Sequence, residues 1–483
     1  MVGGVIDNDH ECPRGMQESF FKNKRVTVFG LGLSGGGVGT VLFLVKQGVR
    51  EVIVTDMKSR QELAPSIAKL AAYKNITFVF GQHRPEDFTR VDMVIKNPII
   101  PWTNEYVKLA ERNKVPVEMD SSIFFAHCPA PIIGVTGSKG KTTTASLIAH
   151  ILEQARKPVV RVGISQVGVL SLLHKITKES IVVFELSSWR LSALPVVKKS
   201  PHIAVVTNIY PDHLNYYKSM AAYQADKKNI FAFQKNRDVV VANFADSVVR
   251  EMVQDARGQL IWFSTLGPIE GDGTWLEEGT LFASVQGKRQ LLLPVEKIPL
   301  KGTHNLANVL AAAAATLAAG LSVEQVRAGI KTFSGVPHRL EKIAVKKGVS
   351  YFNDTAATIP DAAVAALRSF TEPVILIAGG SDKELNFENF AEEILTRSKG
   401  LVLFKGAGTE KLLQALRRAL PEGERERKFE IVETMGKAVE LASRSAEAGD
   451  IILLSPGATS FGLFQNEFDR GEQFRQVVNG LPY

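Results

Sequence analysis

The apolar positions of this chain fall into short runs, each closed by a glycine or polar turn and followed by a stretch of helical spacing. That alternation predicts repeated strand–helix units and parallel sheets, an α/β fold class. Residues 25–29 read as a strand, Gly30-Leu-Gly-Leu-Ser-Gly35 as a turn, 38–47 as a helix and 51–55 as a second strand delivering Asp56. Strands are expected again at 76–80 and 93–95, before a Pro/Asn turn and a helix over 104–114. A boundary near Glu118 closes this first set.

A second set opens at Ile132, with strands at 180–184, 203–207 and 239–242, a β-rich stretch to about Pro294, and a helix over 305–319. Gly335-Val-Pro-His-Arg339 breaks the periodicity and reads as a linker able to serve as a hinge. A third set carries strands at 349–353, 374–377, 400–404 and 451–454. Three α/β domains in series are therefore predicted, over 1–118, 119–335 and 336–483, with ligands at the carboxyl ends of the strands.

Composition narrows the partners. At 483 residues the chain exceeds one ordinary core, and roughly 150 residues per domain agrees with about three domains. A formal charge of +8 and a pI near 9.2 favour anionic ligands. The Lys and Arg residues are scattered, which suits phosphate-bearing small molecules rather than nucleic acid. Cys12 and Cys128 give neither a disulfide framework nor a C-x-x-C pair, so a cytoplasmic setting is expected. Residues 1–24 are too polar and interrupted for a secretory leader, and the alanine-rich run 306–321 reads as a packed helix rather than a membrane span.

Chemistry concentrates after the strand ending near 135, in Thr136-Gly-Ser-Lys-Gly-Lys-Thr142. Gly137 and Gly140 let the backbone curl so that the amides of Ser138, Lys139 and their neighbours face phosphate oxygens. Lys141 adds a mobile charge, Thr142 a hydroxyl for Mg²⁺, and Thr143 continues the helix start. The commoner G-x-x-x-x-G-K-[ST] loop would place a glycine where Val135 stands, so this loop is differently started. ATP or GTP is the expected ligand. Glu185 follows a buried-looking strand, where a hard oxygen ligand for Mg²⁺ belongs. Asn305 starts a helix and could cap it or meet an adenine edge. Arg339 closes the linker and Asp354 follows the strand at 349–353; at such a hinge a closing domain could supply an arginine to the phosphates of a bound nucleotide. Gly30 to Asp56, taken alone, suggests a dinucleotide site and an NAD-dependent oxidoreductase, but that reading leaves the phosphate loop idle.

Taken in order, these pieces resemble the Mur ligases, the ATP-dependent amide-forming enzymes of peptidoglycan precursor synthesis. The match runs from about residue 25 to the end. It rests on Thr136 to Thr142, Glu185-Leu-Ser-Ser188, Asn208 to His213, Tyr223 to Lys227, Gly302 to Asn308, His338-Arg339 and Asn353-Asp354. The resemblance implies a Rossmann-like domain for a UDP-sugar, a central phosphate-loop ATPase and a Rossmann-like domain that brings an amino acid. It implies that Gly30, Leu31, Gly32, Leu33, Ser34 and Asp56 hold the UDP-sugar. Two Mg²⁺ ions are expected, one on Thr142 and Glu185, the other on His213 and a carbamylated Lys227. Ser165, in Gly163-Ile-Ser165, stands where the family usually has the asparagine of Gly-Gly-Asn, and so faces the peptide carbonyl. The tail Leu454 to Ser460 with Asp469-Arg-Gly471 points to addition of D-glutamate to UDP-N-acetylmuramoyl-L-alanine. A lysine usual two residues after the matched aspartate is here Ala356, which leaves Thr358, Lys383 and Ser460 as the candidate contacts of the amino-acid carboxylate. Addition of L-glutamate or another amino acid by the same chemistry is the alternative. A monomer without membrane insertion is expected.

Overall fold

The computed structural model describes residues 20–482 apart from 34, 165, 166, 213, 301, 383, 384, 425, 427 and 428. Three sheets lie in series. The first comprises β1 (Arg25–Phe29), β2 (Glu51–Asp56), β3 (Ile76–Phe80), β4 (Met93–Lys96) and β5 (Val117–Met119), in the all-parallel order β3-β2-β1-β4-β5. The strand order reverses between β1 and β4, which opens a crevice at their carboxyl ends. The glycine turn after β1 and the loop after β4 line it.

The second sheet has nine strands: β6 (Ile132–Thr136), β7 (Val159–Val162), β8 (Ile181–Glu185), β9 (Ile203–Val206), β10 (Val239–Asn243), β11 (Gln259–Ser264), β12 (Gly273–Glu277), β13 (Thr280–Val285) and β14 (Lys288–Pro294). Their order is β14-β13-β12-β11-β10-β9-β6-β8-β7, parallel from β7 to β12 and antiparallel across the last two pairings. β6 and β10 are buried at every position, because helices cover both faces of a parallel sheet and leave no room for alternation. The helix Thr303–Ala318 packs here through a fully buried alanine run, Ala311 to Ala315, and Thr274 Oγ1 donates to Leu310 O at 2.9 Å.

The third sheet holds β15 (Glu341–Lys346), β16 (Val349–Asn353), β17 (Val374–Gly379), β18 (Ser398–Phe404), β19 (Glu430–Val432) and β20 (Ile451–Leu454), in the order β15-β16-β20-β17-β18-β19. Only β15 runs antiparallel to its neighbour. The chain divides into two compact units. One carries the first two sheets, through Lys297 and again over Leu306–Lys331; the other carries Ile298–Asn305 and everything from Thr332 onward. A single hydrophobic core runs from Val26, Val41 and Leu44 to Val169, Leu173 and Phe184, so the first two domains share an interior. At its centre a Cβ on Gly39 would stand 2.7 Å from Gly168 Cα, so two backbones touch where no side chain fits. No helix among the described residues is long and apolar enough to cross a membrane.

Candidate active site

The loop after β6 lies at the middle of the second sheet, with β8 on one side and β9 on the other. Gly137 (φ 150°) and Gly140 (φ 82°) hold backbone conformations closed to most residues. Both are also crowded: a Cβ would stand 1.9 Å from Thr207 Oγ1 at Gly137, and 2.2 Å from Asn308 Oδ1 at Gly140. Residues after β9 hold the curl from outside. Ser138 N donates to Asn208 O (2.9 Å), Lys139 N to Asn208 Oδ1 (2.8 Å) and Thr207 Oγ1 to Lys139 O (2.7 Å). Ser138 Oγ donates to Tyr210 O at 2.9 Å and lies 3.1 Å from Tyr223 Oη. The helix Lys141–Gln154 begins on Gly140, which has no side chain to offer its first-turn amides, so they and the dipole face the cradle. The fit to a nucleotide phosphate is thus a backbone curl in which either added methyl would collide.

Lys141 Nζ donates to Gly137 O and Ser138 O, at 3.0 Å each. Lys227 comes to the same carbonyl from below: its Nζ is 2.8 Å from Gly137 O and 3.4 Å from Thr136 Oγ1, and 4.7 Å from the centroid of the Tyr223 ring. At 1% exposure it is among the most buried side chains of the protein. Burial first, and then the Lys141 charge, hold its amine well below the ordinary lysine pKa; the Asp212 and Asp226 carboxylates act the other way. Two cations on one carbonyl repel, and the buried one yields.

Glu185 is the last residue of β8 rather than the residue after it, and is half-buried beside Val135 in the strand register. Thr142 and Thr143 are half-buried in the first turn of the helix, while Thr144 Oγ1 reaches Asn308 Oδ1 at 3.3 Å. Lys139 is exposed and pairs with Asp212 at 3.7 Å. No group of three His, Cys, Asp or Glu side chains that could hold a metal ion occurs among the described residues. Thr142 and Glu185 are hard oxygen donors, which fits Mg²⁺ held partly by phosphate oxygens rather than by a protein cage. His213 lies outside the described residues, as do Ser34, Ser165 and Lys383.

In the first sheet, the amides of Leu31 and Gly32 donate to Asp56 Oδ2 at 2.9 and 3.0 Å, and Lys58 N donates to Asp56 Oδ1 at 2.9 Å. Asp56 therefore fastens the glycine turn, a use the dinucleotide reading does not foresee. Gly30 has φ 92° and Leu33 is exposed at the mouth of the crevice. Asn305 is not a cap: the helix begins at Thr303, and Asn305 lies buried in its first turn, its N–H donating to Gly302 O.

In the second unit, the segment read as a linker is a tight turn into β15. Val336 bridges Arg339, and His338 (φ 67°) stands 3.0 Å from Asn353 Nδ2 through its Nδ1. Arg339 is exposed. Asp354, directly after β16, accepts from Ser455 Oγ (2.7 Å) and Leu340 N (3.1 Å). Burial outweighs those bonds and pushes its carboxyl up to about 7. A carboxyl raised from 3.8 in this way disfavours the folded state increasingly as pH climbs from about 4 to 7. Asp354→Asn is accordingly expected to raise the melting temperature of this unit by a few degrees at pH 8, with the gain fading toward pH 4 in scanning calorimetry. Thr358 is half-buried, and the fully buried Ser460 Oγ has no hydrogen-bond partner among the described atoms.

Sequence reasoning missed Tyr223, Thr207 and Asn308 as parts of the cradle. Tyr223 stands one helical turn before Lys227, a spacing that could have found it.

Three domain families match in chain order: the Mur ligase MurD-like N-terminal domain over residues 24–118, the Mur ligase middle domain over 135–316 and the Mur ligase glutamate ligase domain over 338–457. A protein of Roseiflexus sp. (strain RS-1), named UDP-N-acetylmuramoylalanine–D-glutamate ligase, is 41% identical over 95% of this chain and 99% of its own. One of the same name from Clostridium tetani is 33% identical over 96% and 98%. Among solved structures, UDP-N-acetylmuramate-alanine ligase MurC of Thermotoga maritima aligns with a TM-score of 0.59 at 19% identity, over 94% of this chain and 99% of that one. MurF ligase of Thermotoga maritima, solved in complex with ADP, aligns with a TM-score of 0.54 at 17% identity, over 96% and 97%. With three domain matches in order and full-length relatives at 33% and 41% identity, the chain belongs to the Mur ligase family.

Proposed function

We propose that this protein joins D-glutamate to UDP-N-acetylmuramoyl-L-alanine at the expense of ATP, with domains over 1–118, 119–335 and 336–483. The observation that carries the reading is the convergence of Lys141 and Lys227 on Gly137 O inside a glycine-built phosphate cradle. The full-length relatives named for this reaction support the substrates.

The Ser138 and Lys139 amides are taken by Asn208, so it is the Gly140, Lys141 and Thr142 amides at the helix start that cradle the ATP phosphates, and Lys141 follows the charge as it passes from the γ-phosphoryl toward the leaving ADP. An oxygen of the L-alanyl carboxylate attacks the γ-phosphorus; the bond to ADP breaks and an acyl phosphate forms. The glutamate amine nitrogen attacks the acyl carbon, orthophosphate leaves, and the nitrogen gives up a proton to complete the amide. Thr142 and Glu185 would hold one Mg²⁺, and His213 with a carbamylated Lys227 a second; bound there, the ions would neutralise phosphate charge. The neutral amine that burial favours at Lys227 is the form that combines with carbon dioxide, releasing a proton, and the resulting carbamate would offer oxygens to a metal ion that an ammonium would repel. On the third domain, Thr358, Lys383 and Ser460 receive the glutamate carboxylates, and the orphaned Ser460 hydroxyl is the donor best suited to one.

The test is phosphate release from ATP, Mg²⁺ and UDP-N-acetylmuramoyl-L-alanine with D-glutamate, L-glutamate, L-alanine or a diamino acid. Release with D-glutamate alone is expected. Release with another amino acid alone would overturn the substrate and keep the chemistry.

A further inference from the structure

Lys96 closes β4 at 1% exposure, a burial lysine almost never accepts without a task. Its Nζ donates to Ile100 O at 2.8 Å and stands 4.4 Å from the centroid of the Trp102 ring. The indole edge reaches the middle domain: Trp102 Nε1 donates to Ser192 Oγ at 2.9 Å, and that hydroxyl donates to Trp189 O at 2.7 Å. Ser192 ends the short helix Ser188–Leu191, which follows Glu185 closely.

At its other end the 97–101 loop lies on the glycine turn. Asn97 N donates to Phe29 O at 2.8 Å and Asn97 Nδ2 to Gly30 O at 3.3 Å, and a Cβ on Gly30 would stand 2.9 Å from Asn97 Cβ. A continuous set of contacts therefore joins the strand end bearing Glu185 to the turn at the crevice of the first sheet.

Packing alone does not explain Lys96. A methionine would fill the same space without stripping water from an ammonium. Burial brings the amine down to about 7, while the Asp120 and Asp226 carboxylates resist that shift. What the cation adds is direction, since it fixes the Ile100 carbonyl and seats the indole so that its N–H aims at Ser192.

We propose that Trp102, seated on Lys96 and tied to Ser192, is a positioning residue for the nucleotide-sugar acceptor, setting the 97–101 loop against the Gly30 turn. The inference rests on the acceptor assigned above. None of the three residues touches reacting atoms; they act through the loop.

Trp102→Phe keeps a ring and deletes the N–H, Ser192→Ala deletes the hydroxyl and Ser192→Thr keeps it. UDP-N-acetylmuramoyl-L-alanine is titrated calorimetrically into the full-length protein and each variant, and steady-state constants are measured alongside. Trp102→Phe and Ser192→Ala are expected to weaken acceptor Kd and KM about tenfold, with kcat and the ATP KM held within about twofold. Ser192→Thr should match the parent, and the double variant should be no weaker than either single one. Unchanged acceptor affinity, additive losses, or an equal rise in the ATP KM would overturn the proposal; a lowered melting temperature with acceptor Kd unmoved would reduce the contact to packing. A parent that binds no acceptor removes the acceptor reading and this inference together. A parent that binds and turns over while its variants match it removes this inference alone.

Discussion

Lys141→Ala is expected to lower kcat by about a thousandfold, with acceptor affinity and melting temperature kept. The fold does not need this side chain: it is half-buried and its partners are two loop carbonyls, Gly137 O and Ser138 O. The reaction does need it, because charge migrates from the γ-phosphoryl toward the leaving ADP and only a charge on a flexible stem can follow. Lys141→Arg should recover little, since a rigid guanidinium fork presents its charge at a different reach. Phosphate release measured at saturating ATP settles the matter, and parental rates in the alanine variant would remove the cradle from the mechanism.

Lys227→Ala is expected to cost a comparable factor, but to be partly restored by added formate or acetate. Truncation opens a space beside Gly137 O and the Tyr223 ring, into which a small carboxylate can bring the oxygens a carbamate would supply. The parent should carry an extra carboxyl group on Lys227, seen as a carbon-13 carbonyl resonance after labelling with bicarbonate and missing from the variant. Absence of both the resonance and the rescue would show that Lys227 works as an ordinary amine. Neither prediction depends on which amino acid is added.

Much of this architecture is legible in the sequence, for identifiable reasons. β2, β6, β9, β10 and β20 are short stretches rich in Val, Ile or Leu and buried on both faces, so composition and length mark them without help from alternation. β5, β7 and β19, of three or four residues at the sheet edges, carry too few apolar positions to stand out. Gly335 to Arg339 shows the limit of composition: Gly and Pro announce a break, but only the contacts of His338 and Arg339 reveal a tight turn. At the candidate site, the phosphate loop declares itself by local spacing. The meeting of Lys227 with Lys141 does not, because it depends on Thr136 and Gly137 lying above a helix some ninety residues further along. Nor does the spacing of Asp56 from the glycine turn reveal that its carboxylate accepts from the Leu31 and Gly32 amides, a tie visible only once β1 and β2 lie side by side.

The third sheet places β20 between β16 and β17, although it is the last of the strands to be synthesised. Until it emerges, β16 and β17 each present an open backbone edge to whatever is nearby, and pairing waits on closure of a long loop. A ribosome paused before residue 451 would hold a nascent chain with two sticky half-sheets, so production of this protein in a foreign host should respond to slower translation and to added chaperones more than to changes in its surface charge.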